Sequence, residues 1–237
     1  MRDNYMESAK ELLEEKVISG SVIFDDFQEK NTNIPEKEKN KANEYFDKFY
    51  VSQPNIKLLS NGEYTTVITD LGATISIYQE KDIYTRTQDM LRRPQGCYFA
   101  VASDDEVNYF SYLPHYINEA EQSVEFLDNE ANFYSNSSQL ELGMKVFLHK
   151  NLPCEFRQFA IKNISSNELK VSLLSYIEPI LMKLDDFNAH PAFAKLFLKI
   201  EFDLDNQIVL ISRKDKHSDK QLFCGIGFTQ SETFLYN

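Results

Sequence analysis

The chain has 237 residues, of which 42% are hydrophobic and 13% aromatic, so it can bury a large core and is not globally disordered. Its formal net charge of −12 argues against nucleic acid and anionic membranes as partners, because both bind basic surfaces. The 3 cysteines lie far apart and lack metal-ligand spacing, which argues against a disulfide framework and a zinc site.

No run of the sequence approaches the roughly 20 apolar residues that a membrane span needs. The first residues also lack the apolar stretch of a signal peptide. We therefore expect a cytoplasmic protein with reduced thiols and with neither metal nor cofactor. Its negative charge suits a neutral ligand such as a sugar.

Residues 5–17 are predicted to form an amphipathic helix, which Ser19 and Gly20 end. Its apolar face consists of Met6, Ala9, Leu12, Leu13 and Val17. Residues 25–44 are mostly polar and have the composition of a linker. A second helix that starts at Pro35 would carry a narrow apolar stripe made of Ala42, Tyr45, Phe46 and Phe49. We therefore assign residues 1–50 to a helical segment with a polar linker.

From Val51 onward, apolar residues alternate with a period of two, which is typical of β-strands. Strands are predicted over residues 64–69, 74–78, 97–102, 107–113, 122–127, 131–135, 139–149, 154–162, 169–177, 195–202, 207–212 and 221–229. Turn-prone polar residues separate several of them. About twelve strands at this spacing predict a sandwich or a barrel, and we assign residues 51–237 to this β-domain.

The segment from residue 58 to residue 72 has the pattern of a hairpin. Ser60, Asn61 and Gly62 form a turn signal, because Asn and Gly tolerate the positive φ that tight turns require. Residues 64–69 are rich in β-branched and aromatic side chains, and residues 70–72 supply a second turn. An exposed Thr-Arg dipeptide is expected at residues 85–86.

Three short segments of this region carry a family resemblance. They are residues 59–64 (Leu-Ser-Asn-Gly-Glu-Tyr), 68–72 (Ile-Thr-Asp-Leu-Gly) and 85–89 (Thr-Arg-Thr-Gln-Asp). They resemble the start of the N-terminal β-sandwich of cellobiose and chitobiose phosphorylases, and of the phosphorylase-like module of cyclic β-1,2-glucan synthases. That family continues as Gly-x-Gly-Tyr-Ser, whereas residues 72–76 read Gly-Ala-Thr-Ile-Ser, so the second glycine and the tyrosine are absent.

Two later segments extend the resemblance to roughly residues 55–215. Residues 163–178 are similar to the family's Asn-x-Ser and Tyr-x-Glu patterns, and residues 185–197 to its Asp-x-x-His-Pro-Ala-Phe-x-Lys-Leu-Phe. Residues 9–17 resemble the helix before this module in the synthases, which favours the synthases as relatives. The resemblance implies a mainly β fold, a two-sheet antiparallel supersandwich of the galactose-mutarotase-like kind, preceded by one or two N-terminal helices.

In the phosphorylases, the chemistry lies in an (α/α) barrel that follows the sandwich, and this sequence ends at Asn237 without one. The resemblance therefore implies a non-catalytic carbohydrate-binding or scaffold module, incomplete at its C-terminal end, of a glycosyltransferase- or phosphorylase-type enzyme. Its implied partners are a β-glucan or gluco-oligosaccharide, and a catalytic barrel on a separate chain or a second copy of this chain. The alternatives are a gene fragment without activity of its own and a mutarotase-like sugar epimerase.

Four residues are candidates for carbohydrate contact: Tyr84, Arg86, Asp89 and His190. Arg and Asp side chains make charge-assisted hydrogen bonds to hydroxyl groups, and the structural alternative is an ion pair between Arg86 and Asp89. In the enzymes that the chain resembles, this region lies near the active site of the neighbouring subunit. Tyr84 could stack on a sugar ring, although tyrosines in strands more often belong to the core.

The epimerase alternative needs a general base and a general acid, and only His190 and Glu178 are suitable for those roles. His190 precedes Pro191, which favours an ordinary loop histidine whose ring binds a backbone carbonyl. Ser175 and Tyr176 are expected to be a buried structural pair.

Overall fold

The structure is a computed structural model, which describes residues 43–86, 96–103, 106–114, 120–216 and 218–229. The chain divides into two units, Lys41–Phe197 and Leu198–Asn237, the latter grouped with Met1–Asn40. The helix predicted over residues 5–17 lies outside the described residues.

The first unit consists almost entirely of short strands, as the period-two pattern predicts. Its first seven strands are β1 (Glu44–Phe46), β2 (Ile56–Ser60), β3 (Tyr64–Thr69), β4 (Thr74–Tyr78), β5 (Lys81–Tyr84), β6 (Cys97–Ala102) and β7 (Val107–Tyr109). Its next six are β8 (Glu121–Phe126), β9 (Glu130–Asn136), β10 (Leu140–Leu148), β11 (Glu155–Asn163), β12 (Ser172–Ile177) and β13 (Pro179–Met182). A short helix α1 (Leu184–Ala189) and a 3-10 turn (Pro191–Phe193) follow.

These strands form three antiparallel sheets. One sheet has the order β1-β8-β9-β10-β11, a second has β12-β6-β7, and the third has β13-β5-β4-β3-β2. All three contribute to one apolar cluster, whose fully enclosed members include Ile68 from β3, Val101 from β6 and Val146 from β10. The core therefore lies between the sheets, as in a sandwich.

The second unit has three described strands, β14 (Leu198–Asp203), β15 (Ile208–Lys214) and β16 (Gln221–Gly227). They pair antiparallel in the order β14-β15-β16. The central strand buries Ile208, Leu210 and Ile211. β14 is more exposed, with Phe202 at 71% of its possible surface.

The mainly antiparallel β fold is confirmed, and each of the twelve predicted strands coincides with an observed strand to within a few residues. The pattern missed β1, β2, β5 and β13, which have three to five residues each. Such short runs do not establish a period by themselves.

The prediction of a second helix through Tyr45, Phe46 and Phe49 is wrong. Glu44–Phe46 is strand β1, which pairs antiparallel with Val124–Phe126 of β8. The ring of Phe46 packs edge-on against Phe126, with 5.4 Å between ring centroids. A partner about 80 residues away in the chain therefore overrides the local helical pattern, as tertiary contacts often do.

The two turns predicted in the hairpin segment are present. Gly62 has a φ of +97°, and the Asn61 side-chain oxygen accepts the backbone N–H groups of Glu63 and Tyr64. Gly72 has a φ of +90°, and a Cβ there would lie 2.3 Å from the Ser111 side chain. Glycine at position 72 is thus required both by backbone conformation and by close packing.

Candidate functional site: the Glu178 cluster

Three of the segments that carry the family resemblance meet at Glu178. Thr85, which follows β5, donates its backbone N–H to the carbonyl of Glu178 at 2.9 Å. The Thr85 hydroxyl contacts the same carbonyl at 3.3 Å. Glu178 itself lies between β12 and β13, and Pro179 pairs with Tyr84 across the sheet. The sheet therefore holds the Thr-Arg and Tyr-x-Glu segments side by side.

The Glu178 carboxylate contacts the third segment through Lys195. Its Oε1 accepts a hydrogen bond of 2.5 Å from the Tyr176 hydroxyl, and Lys195 Nζ lies 3.2 Å from the same oxygen. Its Oε2 is buried and has no hydrogen-bond partner among the described residues. We call Thr85, Tyr176, Glu178 and Lys195 the Glu178 cluster, and we include Arg86 as the chain neighbour of Thr85.

Tyr176 is the exposed aromatic group of this cluster, and the expectation that Ser175 and Tyr176 form a buried pair is wrong. Ser175 is exposed, and 53% of the Tyr176 surface is accessible. The reason is that β12 is the edge strand of its sheet, so it has a hydrogen-bonded neighbour on one side only. The hydrogen bond to Glu178 stabilises the neutral phenol and raises the pKa of Tyr176 to about 12.

Arg86 is held by a residue that the sequence analysis did not consider. Its Nε and Nη2 atoms donate to the two carboxylate oxygens of Asp82 at 2.5 and 2.8 Å. Asp82 is buried, whereas 29% of the Arg86 side chain is exposed. The pair raises the pKa of Arg86 and fixes one edge of its guanidinium. Asp89, the predicted partner, lies outside the described residues.

His190 lies at the end of α1 and is exposed. Its backbone N–H bonds the carbonyls of Asp186 and Phe187, and its ring lies 6.3 Å from the ring of Phe193. Within the described residues, the imidazole forms no hydrogen bond. No described contact joins His190 to the Glu178 cluster, although Lys195 of the same motif belongs to it.

Tyr84 does not lie on the surface, which corrects its choice as a sugar-stacking residue. Only 7% of Tyr84 is exposed, and its hydroxyl donates to Glu155 Oε2 at 3.2 Å. Burial raises the pKa of Tyr84 well above 10.0, and the nearby Glu155 adds to this effect. Thr85 is buried as well, with only 1% of its surface exposed, so the expected exposed Thr-Arg dipeptide is wrong for Thr85. Arg86 is partly exposed.

Glu155 belongs to a buried polar network that the sequence analysis missed. Its Oε1 lies 2.6 Å from Arg157 Nη2, and its Oε2 accepts the Ser76 hydroxyl at 2.7 Å. Arg157 also bonds Thr74 at 3.2 Å and lies over the ring of Phe99 at 5.0 Å. Both charged side chains are less than one-tenth exposed, so this network joins β11 to β4 inside the unit.

Within the described residues, no group of three or more His, Cys, Asp or Glu side chains could hold a metal ion. Cys97, Cys154 and Cys224 form no disulfide within the described part of the chain. Among the helices that the structure describes, none is long and apolar enough to cross a membrane.

The comparison with known families supports the same assignment as the sequence motifs. A family model described as "Glycosyl hydrolase 94, supersandwich domain" matches residues 44–234, which is most of the chain. The chain belongs to this family. The resemblance inferred from its motifs is thus confirmed, and the matched range covers every member of the Glu178 cluster.

A curated relative gives a second comparison. The chain is 23% identical over 161 residues to the cyclic β-(1,2)-glucan synthase NdvB of Rhizobium meliloti (strain 1021). The match covers 67% of this chain but only 6% of that protein. This chain is therefore similar to one module of a much longer enzyme.

Proposed function

We propose that this supersandwich domain is a non-catalytic, carbohydrate-contacting module of a β-glucan phosphorylase- or synthase-type enzyme. The proposal rests on one observation, which is that three motif segments contact one another at Glu178. Thr85, Tyr176 and Lys195 come from distant parts of the chain, yet each bonds directly to that residue. The name of the relative, a glucan synthase, supports β-glucan as the ligand class.

The chemistry of the Glu178 cluster suits a polyhydroxylated, uncharged ligand. Tyr176 offers an exposed ring that its hydrogen bond to Glu178 orients, and aromatic rings pack well against the apolar faces of sugars. Lys195 is 58% exposed and Arg86 29% exposed, so both cations can donate to hydroxyl groups. Their carboxylate partners neutralise them, which disfavours a strongly anionic ligand.

The proposal assigns no chemical step to the domain. Glu178 is the carboxylate of the cluster, but its side chain is only 12% exposed, and Tyr176 and Lys195 already occupy its Oε1 atom. We propose that catalysis belongs to a barrel outside this domain, to which the domain presents the glucan. Incubation of the purified chain with β-1,2-glucan and inorganic phosphate should then release no sugar phosphate.

Calorimetric titration with linear and cyclic β-1,2-gluco-oligosaccharides tests the binding role. We expect saturable binding that Tyr176→Ala, Arg86→Ala and Lys195→Ala each weaken by tenfold or more. Lys162→Ala is a matched control, because Lys162 is also 58% exposed and also pairs with a glutamate, Glu141. A folded chain that binds no β-glucan, or one whose affinity is unchanged in all three variants, would overturn the proposal.

A further inference from the structure

A second site lies on the first unit, where β1 stops covering β8. β1 pairs only with Val124–Phe126, so the earlier residues of β8 have no β1 partner. The chain then bends away through Asp47 and leaves an open groove of about 490 Å³. We call it the Tyr45 groove and define it by Tyr45, Asp47, Phe49, Tyr112, Glu121 and Asn136. It shares no residue with the Glu178 cluster.

Three aromatic residues, Tyr45, Phe49 and Tyr112, line the groove, and two of their rings are anchored. Phe49 and Tyr112 lie 5.3 Å apart between ring centroids, tilted by 34°. Both pack on the small core cluster that contains Leu71 and Leu113. Tyr45, in contrast, is 62% exposed. The groove thus has a fixed aromatic wall and one accessible aromatic side chain at its rim.

The polar groups of the groove are acceptors and amides. Asp47 and Glu121 contribute exposed carboxylates, and Asn136, which pairs with Glu121 across β8 and β9, contributes an amide. None of these three side chains hydrogen-bonds to another residue in the part of the chain that the structure describes. Their polar atoms are therefore available to a ligand that brings its own donors.

The residues that line the groove favour some classes of ligand over others. Its described lining contains no lysine or arginine, so phosphate and other anions are disfavoured next to two carboxylates. Most of the lining side chains carry a polar group, which suits a ligand rich in hydroxyl groups, and the volume of 490 Å³ falls in the usual range of small-molecule sites, roughly 300–1,000 Å³. Carboxylates accept hydrogen bonds from hydroxyl groups, while aromatic rings cover apolar sugar faces.

We propose that the Tyr45 groove binds a neutral oligosaccharide and is separate from the Glu178 cluster. This inference goes beyond the proposed function, because it assigns a second contact with the glucan chain. Two sites on the same unit would raise the effective local concentration of a long glucan without any additional affinity at either site.

The test uses the full 237-residue chain carrying Tyr176→Ala, so that the Glu178 cluster does not obscure the result. Calorimetry with β-1,2-linked glucotetraose and with cellotetraose should give saturable binding of at least one probe. Tyr45→Ala in this background should weaken that binding by tenfold or more, and Asp47→Ala by about fivefold. Tyr50→Ala is the matched control, since Tyr50 is also 62% exposed but does not line the groove. The affinity of this variant for the probe should stay within twofold of that of the Tyr176→Ala background.

Two results would contradict the proposal that the Tyr45 groove binds an oligosaccharide. One is residual binding that Tyr45→Ala and Asp47→Ala both leave within twofold. The other is loss of all binding in the Tyr176→Ala background while the variant still unfolds cooperatively. In the second case the Glu178 cluster would account for all carbohydrate contact, so the proposed function would stand while the groove fails.

Discussion

The guanidinium of Arg157 pairs with the carboxylate of Glu155 inside the first unit, with 2.6 Å between Nη2 and Oε1. The two residues are two positions apart on β11, so both side chains point to the same face of the strand. Through Ser76, Thr74 and Tyr84 this pair connects β11 to the sheet that carries the Thr-Arg segment. A buried charge network thus joins β11 to β4 and β5.

Arg157→Ala should destabilise the domain by about 3–5 kcal/mol, because it leaves Glu155 buried without its counter-charge. Chemical denaturation followed by circular dichroism measures this difference. Lys162→Ala on the same strand is the control, since its pair with Glu141 is exposed and should contribute at most about 1 kcal/mol. Equal costs for the two variants would contradict the role given to the buried pair.

Gly72→Ala should cost more stability than Gly62→Ala, although both glycines have similar positive φ values. At Gly62 a Cβ would meet nothing within 4 Å, so only the backbone strain of about 1–2 kcal/mol remains. At Gly72 the same Cβ would overlap the Ser111 side chain at 2.3 Å. Thermal melts of both variants, and of Gly72→Ala combined with Ser111→Gly, measure the packing contribution. If the double variant recovers no stability, the packing explanation is wrong.

Asp70 should make the domain less stable as the pH rises. Burial raises its pKa above 3.8, so the folded state binds this proton more tightly than the unfolded state does. Stability from this group is therefore full below 3.8 and declines as the pH passes upward through the folded-state pKa. The difference in unfolding free energy between the wild type and Asp70→Asn, measured from pH 3.5 to 7, should fall with pH. A constant or rising difference would contradict this sign.

The pKa of Tyr176 should depend on Glu178. In the wild type the hydrogen bond to the carboxylate raises the phenol pKa to about 12, and Glu178→Gln should bring it back toward 10.0. NMR titration of the tyrosine ring carbons resolves this residue from the other tyrosines. Lys195→Ala should not lower the Tyr176 pKa, because it leaves the carboxylate in place. An unchanged value in Glu178→Gln would show that the two side chains do not interact in solution.

Much of the fold could be predicted because a long strand such as β10 keeps the period-two pattern over most of its nine residues. β1 could not be predicted, since its three residues become a strand only by pairing with β8. The inward direction of the Glu155 and Arg157 side chains could not be predicted either. Alternating charges on a strand indicate a shared face, but which face is buried depends on sheets formed by distant residues.

The sequence motifs contained the residues of the candidate site but did not show how the fold arranges them. Arg86, Tyr176 and Lys195 all stood in segments that carry the family resemblance, yet only the pairing of β5 with β13 brings the segments together. Tyr84 was misplaced because the side to which a strand residue points is decided by the sheet register. The edge position that exposes Tyr176 is likewise a property of the topology and not of the local sequence.

The most direct test of carbohydrate binding at the Glu178 cluster is an NMR titration of the isotope-labelled 237-residue chain with cyclic β-1,2-glucan. Saturable chemical-shift changes are expected at Thr85, Tyr176 and Lys195, and Tyr176→Ala should abolish the changes at the other two. Saturable binding whose shift changes all lie outside the Glu178 cluster would contradict the account, as would a folded chain that shows no shift changes at all.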